Sequence, residues 1–307
     1  MTEQIKLVQE NVPLASLTSW RVGGAAQYFC SPRNIDEVSK ALAWVAENKN
    51  PMPITVLGGG SNSLISDKGI PGLVMSMRKL VGVDVKEVDG NLKVTAMAGT
   101  HKSQILRVFI KECLAPALFI SGLPGDVGGG VVMNAGVSED YTPREFCEIV
   151  EWVEVFRLEK GKPIRVVIPS DEIIWKYRHS EGWQPGILVQ VGLSWPIQRD
   201  EEIPSKVKKS NFLRLSKQPL DQPSCGSVFM NTPNYRAGAM IDKCGLRGYC
   251  IGGAQVSKKH ANFIVNTGAA TASDIDELIK YIQKIVEQET GISLQKEVVY
   301  LGDWSKS

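Results

Sequence analysis

The stretch that decides the fold of this chain is Ser121-Gly122-Leu123-Pro124-Gly125-Asp126-Val127-Gly128-Gly129-Gly130-Val131-Val132-Met133-Asn134-Ala135-Gly136. Seven of its sixteen residues are Gly or Ala, and Asp126 is the one charged residue of the sixteen. Glycine adopts positive φ readily and lets a backbone approach a ligand closely. Successive free N–H groups in such turns form concavities that suit phosphate. This long glycine-rich segment therefore predicts a loop that binds an anionic group.

An early glycine-rich segment, residues 57–64, reads Leu-Gly-Gly-Gly-Ser-Asn-Ser-Leu. It follows the apolar residues 54–57, which are typical of a buried strand. Two glycine-rich segments, at least one of which follows a strand, indicate that the chain wraps a long cofactor that contains a diphosphate.

The composition is that of an ordinary globular protein. The chain has 307 residues, enough for two or three domains, and 43% of them are hydrophobic while 22% are charged. The formal net charge is +2, and no run of Lys and Arg is dense enough to follow a nucleic-acid backbone. We therefore expect no nucleic-acid partner.

Cysteine and histidine usage argues against a metal site, because the six cysteines include no CxxC pair and the chain has three histidines. The polar residues 1–4 do not resemble a signal peptide, and no apolar stretch is long enough to span a bilayer. We expect a cytoplasmic monomer that holds no metal and does not insert into a membrane.

The hydrophobic pattern divides the chain into three parts, of which the first is residues 1–78. A helix is predicted near residues 34–49, with apolar residues on one face. Strands are predicted at 54–57 and 73–76. These elements predict a small β-α-β unit that carries the early glycine-rich segment.

The second part, residues 79–196, is rich in β-branched and alternating apolar segments, which predict short strands. A helix is predicted over residues 101–113, directly before the long glycine-rich segment. The predicted strands are 92–97, 150–156, 164–168 and 187–193.

The third part, residues 197–307, begins where the chain becomes polar and charged, between residues 196 and 212. Its clearest element is a C-terminal helix, for which Ser273 is the predicted N-cap and Gly291 the predicted end. The apolar stripe of this helix contains Ile275, Leu278, Ile279, Ile282, Ile285 and Val286.

An ordered series of motifs extends over residues 18–302. The motifs are Thr18-Ser19-Trp20-Arg21-Val22-Gly23-Gly24, Leu57-Gly58-Gly59-Gly60-Ser61-Asn62, the run 122–136, Trp175-Lys176-Tyr177-Arg178-His179-Ser180, Gln218-Pro219-Leu220, Pro223-Ser224-Cys225-Gly226-Ser227-Val228-Phe229, Gly252-Gly253-Ala254 and His260-Ala261-Asn262-Phe263-Ile264-Val265-Asn266. This series resembles the UDP-N-acetylenolpyruvoylglucosamine reductase family. No sizeable insertion separates residues 177–178 from residues 226–227, so the chain resembles the shorter form of that family.

The resemblance implies an α+β fold: a two-part FAD-binding domain of the vanillyl-alcohol-oxidase type, then a C-terminal α+β substrate-binding domain. It also implies non-covalent FAD, with NADPH as the reductant and co-substrate. The implied reaction is reduction of UDP-N-acetylglucosamine enolpyruvate to UDP-N-acetylmuramate in peptidoglycan synthesis.

The resemblance also implies three catalytic residues. Ser227 matches the proton donor, Arg178 the cation that binds the substrate carboxylate, and Glu297 an acidic residue near the C-terminus. Without the resemblance, the same residues are a turn residue, a surface arginine and a solvated strand residue. A guanidinium is suited to its implied task because it stays charged and binds a carboxylate bidentately.

The implied cofactor-binding residues lie mostly in the two glycine-rich segments, although glycines there also serve tight packing between layers. The residues implied for the FAD diphosphate are Gly58, Gly59, Gly60, Ser61, Asn62 and Ser63. Those implied for the rest of the cofactor are Gly122, Pro124, Gly125, Gly128, Gly129, Asn134, Ala135 and Gly136, and Arg214 is a further candidate.

Four residues are implied in substrate binding or lie near the site: Tyr177, Ser180, Asn231 and His260. If residues 178–180 form a strand, Arg178 and Ser180 face the same side. The family commonly has Lys before the asparagine, whereas this chain has Met230. The residue that makes one cationic contact to the substrate diphosphate or to NADPH is therefore not assigned, and the alternatives to a lysine at position 230 are Lys217, Lys258 and Lys259.

Two other functions remain open from the residues alone. One is a related FAD oxidase that acts on a small alcohol and passes electrons to dioxygen, and the motifs around Arg178 and Ser227 argue against it. The other is a nucleotide-binding module without catalytic activity, which would be colourless when purified.

Overall fold

The computed structural model of the chain describes residues 7–48 and 52–305. The predictions for residues 1–4 and for the end of the first helix at Lys49 lie outside the described residues. Contacts group the chain into two compact units. Among the described residues, the first unit contains 7–9, 29–48, 52–59 and 73–213, and the second unit contains 10–28, 60–72 and 214–305.

Within the described ranges the chain forms seven α-helices and sixteen strands. The helices are α1 (Ile35–Glu47), α2 (Lys102–Lys111), α3 (Pro116–Ile120), α4 (Val127–Val132), α5 (Ile203–Lys217), α6 (Ala237–Lys243) and α7 (Ala272–Thr290). The strands are β1 (Gln9–Pro13), β2 (Ala25–Cys30), β3 (Ile54–Leu57), β4 (Ser63–Ile65), β5 (Ile70–Ser76), β6 (Val83–Val88), β7 (Asn91–Met97), β8 (Val150–Glu159), β9 (Lys162–Pro169), β10 (Ile174–Lys176), β11 (His179–Glu181), β12 (Ile187–Pro196), β13 (Cys250–Ile251), β14 (Ala254–Val256), β15 (Ile264–Asn266) and β16 (Val299–Leu301).

The first unit is built around a five-stranded antiparallel sheet with the strand order β6-β7-β12-β8-β9. In the central strand, Val191 lies opposite Ala96 on one side and Val153 on the other, and all three are fully buried. The predicted strands at 92–97, 150–156, 164–168 and 187–193 are confirmed, and each is longer than its apolar pattern. In the same unit β3 lies parallel to the end of β5.

The long glycine-rich segment is partly helical, so the prediction of a loop throughout is wrong. Helix α4 begins after Asp126, whose side chain accepts a hydrogen bond from the backbone N–H of Gly129 at 2.7 Å. An Asp in this position is a favoured N-cap, because it satisfies an N–H group that has no partner inside the helix. One short side chain therefore turns a segment rich in glycine into a helical turn.

In the second unit, β13, β14 and β15 form an antiparallel sheet and β4 lies parallel to β16. The apolar stripe of α7 packs into this unit's core, where Ile275, Leu278 and Ile279 are fully buried. Trp20 is also fully buried and donates a hydrogen bond from Nε1 to the backbone oxygen of Ile264 at 2.7 Å.

Helix α7 begins two residues earlier than predicted. Its N-cap is Thr271 and not Ser273, because Thr271 accepts from the Asp274 N–H while the Asp274 carboxylate accepts from the Thr271 N–H. This reciprocal pair is a capping box. Gly291 ends the helix with φ +72°, a left-handed conformation that favours glycine, and this prediction is confirmed.

The polar stretch at residues 196–212, which was predicted as the start of a third part, contains the first residues of α5, and this helix starts at Ile203. The division at residues 78 and 196 stays a prediction. None of the helices in the described ranges is both long enough and apolar enough to cross a bilayer. Among the described residues, no three His, Cys, Asp or Glu side chains are grouped so that they could hold a metal ion.

Asp67 reaches the start of α7 from a distant part of the sequence. Its carboxylate accepts hydrogen bonds from the N–H groups of Ala272 and Ser273, both at 2.9 Å, and from the Ser273 hydroxyl at 2.8 Å. A carboxylate at this end is also favoured by the helix dipole. We expect Asp67→Ala to lower the free energy of unfolding by about 1 kcal/mol in urea denaturation.

Glu287→Ala is the matched control, since it removes the same charge from an exposed position near the other end of α7. We expect it to leave the urea midpoint nearly unchanged. An Asp67→Ala midpoint equal to that of the control would show that the cap contributes nothing to stability.

Candidate active site and cofactor-binding residues

In the first unit, the two glycine-rich segments come into close contact. A Cβ on Gly59 would lie 2.8 Å from the Cα of Gly125, and a Cβ on Gly58 would lie 2.6 Å from Asp126 Oδ2. Real Cβ atoms do not approach backbone this closely, so Gly59 requires glycine, and a side chain at Gly58 would displace the Asp126 carboxylate. Arg78 donates a hydrogen bond from Nη2 to the Gly59 oxygen at 2.8 Å. The structure therefore brings together three of the predicted cofactor-binding glycines, Gly58, Gly59 and Gly125.

Asp126 lies at this contact and is 4% exposed. Burial raises its pKa, whereas the N–H groups of Gly129 and Gly59 and the charges of Lys102 and Arg78 act in the opposite direction. Lys102, the first residue of α2, is also 4% exposed. Burial lowers the pKa of Lys102 to about 8; the Asp126 carboxylate opposes that shift and the Arg178 guanidinium adds to it.

Other predicted cofactor-binding groups are already used by the fold. The Gly128 N–H donates to the Ala98 oxygen at 2.8 Å, and the Gly129 N–H donates to Asp126. Asn134 is 2% exposed and hydrogen-bonds Glu145, Lys176 and the Cys147 N–H. Contacts from Gly122, Pro124, Gly128, Gly129, Asn134, Ala135 and Gly136 to a cofactor stay predictions.

Arg178 lies in the first unit, in the turn between β10 and β11, with φ +53°. Its Nη2 donates to the Gly136 oxygen at 2.8 Å, and its Nη1 lies 3.8 Å from Glu145 Oε1. The guanidinium carbon is 4.5 Å from the centre of the Tyr177 ring. The side chain is therefore held at fixed points, and it is 13% exposed.

The expectation that Arg178 and Ser180 share a face of one strand is wrong, because the chain reverses at residues 177–178. Ser180 is 1% exposed, and its hydroxyl donates to the Val132 oxygen and accepts from Trp183 Nε1. These bonds give Ser180 a structural task, and its contact with substrate stays a prediction.

In the second unit, Ser227 and Glu297 lie on neighbouring segments that run antiparallel. The Glu297 N–H donates to the Val228 oxygen at 2.8 Å, and Phe229 pairs with Lys296. Among the described residues, no hydrogen bond is made by the Ser227 hydroxyl, and the residue is half-buried. The fold thus leaves this hydroxyl available, on a segment that pairs with the one carrying Glu297.

The part of the early glycine-rich segment that belongs to the second unit is joined to the same segments. Asn62 donates from Nδ2 to the Glu297 oxygen at 3.0 Å, and the Asn62 oxygen accepts from the Val299 N–H at 2.9 Å. The Gly60 oxygen accepts from the Ser19 N–H at 3.0 Å. Asn62 is therefore held against the segment that carries Glu297, and Gly60 against Ser19. Contacts of Gly60, Ser61, Asn62 and Ser63 with a cofactor stay predictions.

Three other predicted residues in the second unit have local structural partners. Asn231 accepts a hydrogen bond from the Ala237 N–H at 3.1 Å, at the start of α6. His260 Nδ1 accepts from the Asn262 N–H, and burial lowers the pKa of His260, with Arg247 acting in the same direction. Arg214 contacts Gln218 at 3.4 Å. Their functional contacts stay predictions.

Of the cations considered in place of a lysine at Met230, Lys259 is held in a defined position. Its Nζ donates to the Leu215 oxygen at 2.6 Å, within the second unit. The Lys258 side chain lies against Gly248. Neither observation selects the cation that contacts the diphosphate.

The sequence-based predictions missed three charged residues of the first unit: Lys102, Asp126 and Glu145. A signal was present for two of them. Lys102 falls on the apolar face of α2 with Ile105 and Phe109, which predicts burial. Asp126 precedes an apolar run, as an N-cap does. Glu145 carries no such signal, since it meets Asn134 and Arg178 only through the fold.

Comparisons with known proteins agree with this architecture. The model of an FAD-binding domain matches residues 26–166, and the model of the UDP-N-acetylenolpyruvoylglucosamine reductase C-terminal domain matches residues 218–301. A UDP-N-acetylenolpyruvoylglucosamine reductase from Parasynechococcus marenigrum is 41% identical over 298 residues, which cover 96% of each chain. One from Caldanaerobacter subterraneus is 38% identical and covers 95% of this chain and 93% of its own.

A solved structure extends the comparison to three dimensions. The crystal structure of UDP-N-acetylenolpyruvylglucosamine reductase from Thermus caldophilus matches with a TM-score of 0.78 and 30% identity, and the match covers 95% of this chain and 98% of that one. The predicted α+β fold, with an FAD-binding domain of the vanillyl-alcohol-oxidase type, is confirmed. FAD as the cofactor is confirmed too, and the close glycine contact beside a buried cation fits it. The chain belongs to the UDP-N-acetylenolpyruvoylglucosamine reductase family and is an FAD-dependent oxidoreductase.

Proposed function

We propose that this chain uses NADPH to reduce the enolpyruvyl ether of UDP-N-acetylglucosamine to the lactyl ether, UDP-N-acetylmuramate, for peptidoglycan synthesis. The observation that carries the proposal is the pairing of the Ser227 and Glu297 segments, which leaves the Ser227 hydroxyl without a partner among the described residues. The similarity to reductases of this name over nearly the whole chain supports the choice of substrate.

The chemistry is a conjugate reduction. FAD, which the two glycine-rich segments would hold, would supply the hydride chemistry: acceptance of a hydride from NADPH and its delivery to the enol-ether carbon remote from the substrate carboxylate. Negative charge then builds on the adjacent carbon and spreads into the carboxylate, and a proton added to that carbon completes the single bond. The chain must therefore hold the carboxylate, stabilise the developing charge and supply one proton.

Ser227 supplies the proton in this proposal. A serine hydroxyl is a weak acid in water, so it is effective only when it is held at the reacting carbon and its proton is replaced from solvent. Gly226 has φ +82° and precedes the serine, so the chain turns directly before the hydroxyl. The backbone bonds of Val228 to Asn262 and Glu297 fix the position of the residue that follows.

Arg178 binds the substrate carboxylate, and Glu297 donates a hydrogen bond from its carboxyl group to the developing enolate. The guanidinium is oriented by the Gly136 oxygen and by Glu145, which leaves little freedom to be lost on binding. A planar guanidinium binds the two carboxylate oxygens at once, and the contact strengthens as charge accumulates on them.

The first test separates the two half-reactions. We expect Ser227→Ala to leave reduction of the flavin by NADPH nearly unchanged, since no proton is delivered to carbon in that step. We expect reoxidation of the reduced enzyme by the enolpyruvyl nucleotide to slow by about 100-fold or more, the size of a positioned general acid. Anaerobic stopped-flow absorbance measures both rates.

Ser224→Ala is the control, because it removes a half-buried hydroxyl from the same segment. Equal slowing of both half-reactions by Ser227→Ala would show that the serine shapes the pocket instead of donating a proton. Reoxidation by dioxygen alone would contradict the proposed substrate.

The second test concerns Arg178. We expect Arg178→Lys to raise the KM for the enolpyruvyl nucleotide by about tenfold, because an ammonium keeps the charge but loses the two parallel hydrogen bonds. The KM for NADPH should change little. Arg144→Lys, at an exposed position of the same unit, is the control and should leave both constants unchanged. A normal substrate KM in Arg178→Lys would remove the arginine from carboxylate binding.

A further inference from the structure

Lys102 is a lysine on the buried face of a helix, and its ammonium has no hydrogen-bond partner among the described residues. The residue is 4% exposed and shares the buried face of α2 with Ile105 and Phe109. Among the described residues its Nζ makes no hydrogen bond and no ion pair, and it lies 5.8 Å from the centre of the Phe146 ring. A charge on a side chain so far removed from water is unfavourable, so its presence calls for an explanation.

The carboxylate of Asp126 is the opposite charge that stabilises this ammonium. The backbone places the two residues side by side. The Lys102 N–H donates to the Gly125 oxygen at 3.1 Å, and His101 pairs with Asp126 in an isolated antiparallel β-bridge of the backbone. The charges attract each other without direct contact. Asp126 Oδ1 is occupied by the Gly129 N–H, whereas the buried Oδ2 has no hydrogen-bond partner in the described part of the chain.

These two charges lie where the glycine-rich segments meet. Asp126 Oδ2 is the atom that a Cβ on Gly58 would strike, and Gly59 packs on Gly125. A lone carboxylate in this place would repel a diphosphate. It also occupies the Gly129 N–H, which was predicted to bind the cofactor. A cation beside Asp126 reduces the repulsion between its carboxylate and the diphosphate.

We propose that Lys102 is a positioning residue for the flavin cofactor: its ammonium offsets the carboxylate of Asp126, so that the two glycine-rich segments keep their contact and accept the negatively charged diphosphate of FAD. The inference rests on the proposed function only in that FAD is the ligand. The other charges that face the pair are Arg178 near Lys102 and Arg78 near Asp126, and Glu145 lies beside Arg178.

The test measures the dissociation constant of FAD from the apoprotein by quenching of flavin fluorescence. We expect Lys102→Met to weaken FAD binding by about tenfold or more, since it removes one of the two cations, Lys102 and Arg78, that offset the Asp126 carboxylate. The double variant Lys102→Met/Asp126→Asn removes both charges and keeps an N-cap side chain, so it should bind FAD more tightly than Lys102→Met. Lys111→Met, at an exposed position of the same helix, is the control and should bind like the parent.

The pH profile gives a readout that a merely structural role would not change. The pKa of Lys102 is lowered to about 8, so its charge is present at pH 7 and is lost as the pH rises through 8. Because the cation that offsets Asp126 is lost as Lys102 loses its proton, FAD affinity of the parent should fall between pH 7 and pH 9. The double variant, which lacks both groups, should show a flatter profile.

The outcomes separate this inference from the proposed function. If the parent binds no FAD, both fail. If Lys102→Met binds FAD as tightly as the parent does, this inference alone fails. If Lys102→Met does not fold, parent and double variant are compared, and equal pH profiles for these two proteins overturn the inference.

Discussion

The first unit depends on one close approach of two backbones. Between Gly59 and Gly125 there is no room for a side chain, so the end of β3 and the start of α4 are fixed relative to each other. Asp126 directly follows Gly125 in the chain, so it lies beside this contact and is buried there. A buried carboxylate requires compensation, and Lys102, Arg78 and the Gly129 N–H provide it. Backbone geometry therefore determines the electrostatics of the predicted cofactor site.

The second unit has a comparable constraint in a buried amide. Asn262 is 2% exposed; it accepts from the Phe229 N–H at Oδ1 and donates from Nδ2 to the Phe229 oxygen. Its own backbone oxygen accepts from the Val228 N–H. Three bonds from one residue thus hold the segment directly after Ser227, and the Glu297 N–H bonds the same segment from the other side. The serine needs no hydrogen bond of its own to be held in place.

The sequence predicted what depends on periodicity. Four strands of the five-stranded sheet, the stripe of α7 and its end at Gly291 follow from apolar spacing and from one left-handed residue, whereas β6 and the strand order were not predicted. Competition between nearby polar groups was less predictable: Thr271 and Ser273 are both good caps, and the capping box with Asp274 selects the first. The reversal at residues 177–178 was missed because the segment carries no Gly, Pro, Asn or Asp, and Arg178 adopts φ +53° within a turn held by tertiary contacts.

The glycine-rich segment shows why motif and mechanism have to be argued separately. Its glycines suggested a cradle of free N–H groups, yet those of Gly128 and Gly129 are bonded inside the protein. Helix α4 has six residues and its first turn is already capped by Asp126, so it offers no anion site of its own. Side-chain cations at the contact between the two segments can add to the attraction for a diphosphate: Lys102 lies beside Gly125 along the backbone, and Arg78 donates to the Gly59 oxygen. Because an ammonium can lose its proton and an amide cannot, this arrangement makes cofactor affinity depend on pH.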